Sequence, residues 1–169
     1  GENLDAHIGR KYGASPQQLA ASRAAVRERA ASVGFGFNSS ATSHVYNTFD
    51  AHRLLHWAGI QGRQRELKKI LFRANFTDDA NVASHDVLAA LAIEAGLEGD
   101  EARAVLASGR YAAEVRAAEQ LWQSRGINSV PGIVINGKWL VSGGQPPEVF
   151  EQALREIARQ SATGQGPKD

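Results

Sequence analysis

The sequence predicts an α/β protein in which a long run of helices is followed by one β-hairpin and a last helix. Residues 133–135 are consecutive β-branched apolar residues, which suits a short strand buried on both faces. Asn136 and Gly137 tolerate positive φ, so residues 139–141 are expected to return as the second strand. Elsewhere apolar residues recur at helical spacing, and the only other extended candidate, 35–38, is short and interrupted by Gly36.

The composition excludes several classes of function. The 169 residues have a formal net charge of +1, which gives no reason to expect nucleic acid or a membrane surface as a partner. Cysteine is absent, so this sequence holds no disulfide, thiol nucleophile or cysteine metal site, and we expect no cofactor. Methionine is absent as well, even at position 1, which fits a chain that does not start at its natural beginning.

The first two helices are predicted from spacing and capping. Apolar residues stand at every fourth position of 4–12, which predicts the first helix. Ser15 is expected to cap the second helix, with Pro16 in the first helical position and Gln18 reaching back in a capping box. This helix is expected to run to Gly34, with its charged residues on a solvated face.

Five more helices are predicted before the hairpin, and one after it. The five cover residues 47–58, 63–75, 86–95, 102–107 and 111–125. In the helix 111–125 the residues expected to face inward are Ala112, Val115, Ala118, Leu121 and Trp122. The helix after the hairpin has a single apolar stripe made by Val149, Phe150, Ala153, Leu154 and Ile157. We therefore divide the chain into a mainly helical subdomain (1–126), a β-β-α part (127–160) and a disordered tail (161–169).

The isolated hairpin is a problem for this chain. A two-stranded hairpin is marginal in water, and a strand as apolar as 132–135 is expected to have neighbours on both sides. We therefore expect further strands of the same sheet outside this sequence, or on another chain. An unpaired edge would also favour a homodimer formed through the open sheet edge.

Several stretches together resemble a known family. They are Val130-Pro131 before an apolar strand, the Asn-Gly hairpin, the helix start Asn47-Thr48-Phe49-Asp50-Ala51-His52-Arg53, and the run Gly143-Gly144-Gln145-Pro146-Pro147-Glu148-Val149-Phe150. In these stretches the chain resembles the bacterial-type DsbA thioredoxin-fold thiol–disulfide oxidoreductases, and it is most similar to their FrnE-like branch. The resemblance implies a thioredoxin-like fold with a large inserted helical subdomain, to which this chain contributes the subdomain and the β-β-α half.

The resemblance also implies a missing segment. In that family a first strand, a helix that begins with Cys-x-x-Cys and a second strand come before the part that corresponds to this chain. A cysteine at a helix N-terminus has a lowered pKa, and its thiolate exchanges with a substrate disulfide through a mixed disulfide. A truncated chain without these cysteines contains no catalytic residue and is expected to be inactive by itself.

The substrate-binding residues are implied by the resemblance. Pro131 corresponds to the family's cis-proline, and Val130 to the preceding residue, which offers backbone groups to the bound chain. Ser129 belongs to the same loop, and we expect the bond between Val130 and Pro131 to be cis rather than trans. The family comparison also gives four possible groove-lining residues: Asn47, Thr48, His52 and Arg53.

Simpler interpretations of these helix residues exist. Asn47 and Thr48 are sufficiently explained as helix caps, and His52 as an ordinary helix histidine. His52 and His56 share one helix face at i, i+4 spacing, but no third ligand is evident, so we expect no metal site.

Three functions remain open at this point. The first is a thiol–disulfide oxidoreductase acting on a protein or a small thiol or disulfide, in the cytoplasm rather than the periplasm. The second is a glutathione-dependent isomerase or transferase of the 2-hydroxychromene-2-carboxylate isomerase or kappa-class type; Gln145-Pro146-Pro147 does not match the aspartate typical of those relatives. The third is a non-catalytic helical binding module. The residues encoded just upstream of Gly1 would discriminate among these functions. Cys-x-x-Cys there would favour the first function, a lone serine the second, and an initiator methionine adjacent to Gly1 the third.

Overall fold

Helices form most of the chain in the computed structural model, which describes residues 1–162. They are α1 (Leu4–Tyr12), α2 (Pro16–Ser32), α3 (Phe49–Ile60), α4 (Gln64–Phe76), α5 (His85–Glu94), α6 (Gly99–Ala107), α7 (Ala112–Ser124) and α8 (Pro147–Ala162). The strands are β1 (Glu2–Asn3), β2 (His44–Val45), β3 (Gly132–Ile135) and β4 (Trp139–Ser142). The order confirms the predicted run of helices followed by a β-β-α unit. Within 1–162, no helix has both the length and the apolar character to cross a bilayer.

The chain forms two compact units, whose boundary falls within α7. The first unit is Gly1–Val115, and the second begins at Arg116. The division at residue 126 stays a prediction. Of the predicted tail, Ser161 and Ala162 belong to α8, and residues 163–169 lie outside the described part of the chain.

The core of the first unit lies among α3, α4, α5 and α6, which pack against one another. The largest fully buried side chains come one from each of these helices: Leu54, Leu67, Leu88 and Val105. Burial of one such side chain contributes roughly 1.5–3 kcal/mol, so this four-helix cluster is the main source of stability in the unit.

Local capping signals act as the sequence predicts. The Ser15 hydroxyl accepts from the backbone N–H of Gln18 at 3.3 Å, and the Gln18 side chain accepts from the N–H of Ser15 at 2.8 Å. Pro16 occupies the first position of α2, whose C-terminal end is followed by Gly34 with φ of +73°. These bonds join residues at most three apart, which is why sequence alone reveals them.

The structure has a small N-terminal sheet that the sequence did not predict, and the extended candidate 35–38 is wrong. Residues 35–38 form no strand; instead the Asn38 N–H donates to the Phe76 carbonyl at 2.8 Å, and Phe37 stacks on the Phe76 ring. A small antiparallel pair forms between β1 and β2, in the register Glu2↔Val45 and Asn3↔His44. Two-residue strands this far apart in sequence carry no alternating pattern, so only tertiary contacts reveal them.

In the second unit the hairpin forms as predicted, but little apolar surface is buried. β3 and β4 are antiparallel, from Gly132↔Ser142 to Ile135↔Trp139. The turn has φ of +52° at Asn136 and +69° at Gly137, as expected for this dipeptide. The predicted inward stripes of α7 and α8 are largely exposed, including Leu121, Trp122, Val149 and Leu154. Among described residues from Arg116 onward, Ile157 alone is buried.

Candidate functional site

The loop before β3 presents an exposed main chain. The Val130–Pro131 peptide bond is cis, the conformation that the family resemblance implies. Val130 as a whole residue is 92% exposed. Among residues 1–162, neither the N–H nor the C=O of Val130 has a hydrogen-bond partner within the protein. Ser129 is exposed beside it, so both residues can meet a bound molecule.

The position of this loop is fixed from the other strand of the hairpin. The Gly143 N–H donates to the Pro131 carbonyl oxygen at 2.8 Å, which continues the β3–β4 pairing by one further backbone bond. Gly143 has φ of +82°, a conformation that glycine adopts without a steric penalty. Next to it, the Gln145 side chain donates to the Ser142 carbonyl at 2.8 Å. The turn into α8 therefore holds Pro131, while the Val130 N–H and C=O stay without a partner among the described residues.

Among residues 1–162, neither outer edge of the hairpin has a strand beside it, and the edge of β3 is the more apolar part of this sheet to consider. Within the described residues β3 pairs with β4 only, so the other edge of β3 has no strand beside it. Its residues 133–135 are half-buried and apolar. Such an edge accepts a further strand through main-chain hydrogen bonds.

The predicted groove-lining residues lie in the first unit and differ in their exposure to solvent. Asn47, Thr48 and His52 are exposed at the start of α3. The Asn47 side chain accepts from the Phe49 N–H at 3.0 Å, whereas Thr48 makes no capping bond with its side chain. Arg53, in contrast, is only 4% exposed and does not line a groove.

Arg53 is a structural residue of the helical unit. Its guanidinium donates to the Arg110 carbonyl at 2.8 Å, and also to the carbonyls of Val105 and Ser108. It donates to the Asp50 carboxylate at 2.7 Å. Arg53 thus satisfies the carbonyls at the C-terminal end of α6 and just beyond it, which have no helical partners of their own.

Asp50 joins Arg53 to the start of α5. Its second oxygen lies 2.8 Å from His85 Nε2. Burial raises the pKa of the Asp50 carboxyl, but the hydrogen bonds from His85 and Arg53 outweigh this and hold the pKa below its usual value. These groups connect α3, α5 and the end of α6 and serve the fold.

A hollow of about 150 Å³ lies between α3 and α4, bounded by Thr48 and His52 at its rim. We call it the α3–α4 hollow. His56, one turn after His52, lies with its ring 5.2 Å from the Tyr111 ring. In the described part of the chain, no three histidine or acidic side chains are placed to hold a metal ion.

The two sets of predicted residues therefore lie in different units, Ser129, Val130 and Pro131 in one and Asn47, Thr48, His52 and Arg53 in the other. Neither set contains a cysteine, so neither supplies the thiol that thiol–disulfide exchange requires. Sequence reasoning missed the bond that Gly143 makes to Pro131. The glycine preceding α8 was the available signal, since it marks a position that requires positive φ.

Comparisons with known proteins bear on the fold and the family of the chain. A family model described as "DSBA-like thioredoxin domain" matches residues 2–155. The crystal structure of a probable DsbA oxidoreductase from Streptomyces coelicolor is similar over 99% of this chain and 70% of that chain, with a TM-score of 0.87 and 36% identity. The uncharacterized protein YwbO of Bacillus subtilis strain 168 is 28% identical over 102 residues, 60% of this chain. The chain spans about half the length of that curated relative, since the match covers 50% of it.

Proposed function

We propose a function for this chain from one premise: it belongs to the DSBA-like thioredoxin domain family. We infer that it is part of a protein thiol–disulfide oxidoreductase of the FrnE-like branch. In this proposal the chain supplies the substrate-binding loop and the helical unit. The redox cysteines lie on a segment that is outside this sequence.

The observation that carries the proposal is the exposed main chain of Val130. Its N–H and C=O have no partner within the described residues, and the loop is held in place by the bond from Gly143 to Pro131. An extended peptide can exchange water for hydrogen bonds to such groups, whatever its side chains. A protein substrate is therefore bound through its backbone, next to the position at which its disulfide would react.

The second unit also supports a sheet that continues beyond this sequence. The open edge of β3 is apolar, and α7 and α8 expose large side chains such as Leu121 and Leu154. A segment with two strands and a helix would pair with that edge and cover part of this apolar surface. Both features are expected of half of a thioredoxin-like sheet.

The chemistry requires the additional segment. A thiolate attacks one sulfur of the substrate disulfide, the other sulfur leaves as a thiolate, and a second enzyme cysteine then resolves the mixed disulfide. The enzyme pair is oxidised as the substrate is reduced, and the reverse sequence oxidises a substrate dithiol. Because this chain contains no cysteine, it performs neither step alone.

The FrnE-like branch is favoured over the glutathione-dependent relatives by one stretch. Gln145, Pro146 and Pro147 follow the glycines after β4, where those relatives typically carry an aspartate. Sequencing the coding region upstream of Gly1 separates the two, because the proposal expects Cys-x-x-Cys and the glutathione alternative a lone serine.

The binding role of Val130 can be tested directly on this chain. In an NMR titration with a short uncharged peptide that carries serine in place of the substrate cysteine, we expect amide shifts at residues 128–132. Replacing one peptide amide by an ester should weaken binding about fivefold, since one neutral hydrogen bond contributes roughly 1 kcal/mol. Val130→Ala keeps the backbone groups and should bind equally well. The proposal would be contradicted if Val130→Ala weakened peptide binding, or if the peptide caused no amide shifts at the loop.

We also propose that a second copy of the chain pairs through the open β3 edge when no other strand occupies it. Sedimentation velocity should then show a concentration-dependent dimer, which Ile133→Lys on β3 weakens and Leu140→Lys on β4 does not. A monomer at all concentrations would exclude this pairing.

A further inference from the structure

The α3–α4 hollow in the first unit has an apolar floor. The side chains that form it come from α3, α4 and the following loop: Ala51, Leu55, Leu71, Phe72, Phe76 and Val82. Its volume is about 150 Å³, and it opens to solvent on one side. A cavity of about 150 Å³ lined by apolar side chains can take up a benzene-sized molecule.

The rim of the same hollow consists of hydrogen-bond donors. Lys68 lies there, with its ammonium nitrogen 5.5 Å from the centre of the Phe72 ring. The side chains of Thr48, His52 and Asn75 complete the rim. Within residues 1–162, none of these four side chains makes a hydrogen bond or an ion pair inside the protein.

Among the residues that the structure describes, no carboxylate lines this hollow. Asp50, which directly precedes Ala51 in sequence, is bonded to Arg53 and His85, and Asp79 lines an adjoining hollow that shares Thr48, Asn75 and Phe76 with the first. The local charge is therefore that of Lys68, and each rim group can donate to an anion. An apolar floor below a positive rim with unused donors is complementary to a molecule that has a hydrocarbon body and an acidic head.

We propose that the α3–α4 hollow binds a small apolar carboxylic acid with a single ring or one branched chain. The hydrocarbon body lies against Leu55, Leu71 and Val82. The carboxylate accepts hydrogen bonds at the rim from Lys68 and from the Asn75 amide. The site lies wholly within the first unit and shares Thr48 and His52 with the predicted groove-lining residues. It requires no cysteine, so it goes beyond the proposed redox function, and its binding can be tested without redox chemistry.

Phenylacetate is a suitable probe, with phenylacetamide as its uncharged match of the same shape. In NMR titrations of the 169-residue chain, phenylacetate should shift amides of α3 and α4 around the hollow. Phenylacetamide should bind about fivefold more weakly, because a partly exposed charge pair contributes up to roughly 1 kcal/mol. Acetate, which lacks the hydrocarbon body, should cause no shift at these positions.

Two lysine variants locate the charge. Lys68→Gln should reduce phenylacetate affinity to that of phenylacetamide, whereas Lys69→Gln, at the exposed neighbouring position outside the lining, should leave it unchanged. Equal binding of acid and amide, or an equal effect of the two substitutions, would overturn the proposal. Absence of phenylacetate binding would also overturn the proposal. Shifts at these amides that depend on protein concentration alone would overturn it too, because they would place a second copy of the chain in the hollow.

Discussion

The backbone N–H of Gly143 donates to the carbonyl oxygen of Pro131 at 2.8 Å. This bond links the residue that directly precedes β3 to the residue that directly follows β4, whereas the Val130 N–H and C=O have no partner among the described residues. The loop before β3 is thus positioned by the turn that leads into α8, from a residue twelve positions away in sequence.

Gly143→Ala should loosen this loop. The backbone φ of +82° is unfavourable for any residue with a Cβ, and the left-handed conformation costs an L-residue about 1 kcal/mol or more. Amide hydrogen exchange should become faster at residues 131–143. Gly144→Ala is the matched control, because that glycine has no positive φ and its added Cβ would contact nothing within 4 Å. Equal exchange in the two variants would show that Gly143 is not needed to hold the loop.

Arg53→Met should destabilise the helical unit by about 3 kcal/mol, since three carbonyls and the Asp50 carboxylate lose a buried charged donor. Chemical denaturation monitored by amide exchange in α3 and α6 measures the loss. Arg103→Met serves as the control. Its ion pair with Asp100 is exposed on both sides, so its free energy of unfolding should change by less than about 0.5 kcal/mol. A similarly small change in the free energy of unfolding for Arg53→Met would mean that water replaces the hydrogen bonds of the Arg53 guanidinium.

Acid should remove the contribution that the Asp50 carboxylate makes to the stability of the fold. Its pKa in the folded state is lowered, so the carboxylate stabilises the fold above the unfolded value of about 3.9, and this contribution is lost as pH falls through the folded pKa. Asp50→Asn should therefore be less stable than wild type at pH 5, and the difference should narrow by pH 3. Urea denaturation of both proteins at each pH provides the measurement. A difference that widens in acid would reverse the assigned direction of the shift.

Ser15→Ala should fray the start of α2 by about 1 kcal/mol, because the Gln18 N–H loses its acceptor and the capping box is broken. Exchange rates of the first-turn amides report this loss. Ser32→Ala, at the other end of α2, removes only a bond from Ser32 to the Arg29 carbonyl and should leave those rates unchanged. Unchanged first-turn rates in Ser15→Ala would mean that Pro16 alone sets the helix start.

The elements that could be predicted are those governed by neighbouring residues. The Asn136-Gly137 turn and the Ser15 capping box depend on backbone preferences within a few positions, and the structure has both. The apolar periodicity of α4 and α5 likewise predicted side chains that are buried, such as Leu67 and Leu88. Family membership followed from motif stretches that local physics also explains.

The tertiary structure determined the features that depend on contacts between residues far apart in sequence. The sequence indicated a helix that contains Arg53, but its burial follows from carbonyls more than fifty positions away. The same periodicity that predicted the core also predicted inward faces for α7 and α8, which are mostly exposed, because burial requires a packing partner as well as an apolar stripe. By itself the sequence determined the local conformations and the family. Which side chains are buried, and which backbone groups remain free to bind, was decided by the contacts between elements, since these join residues that no local pattern relates.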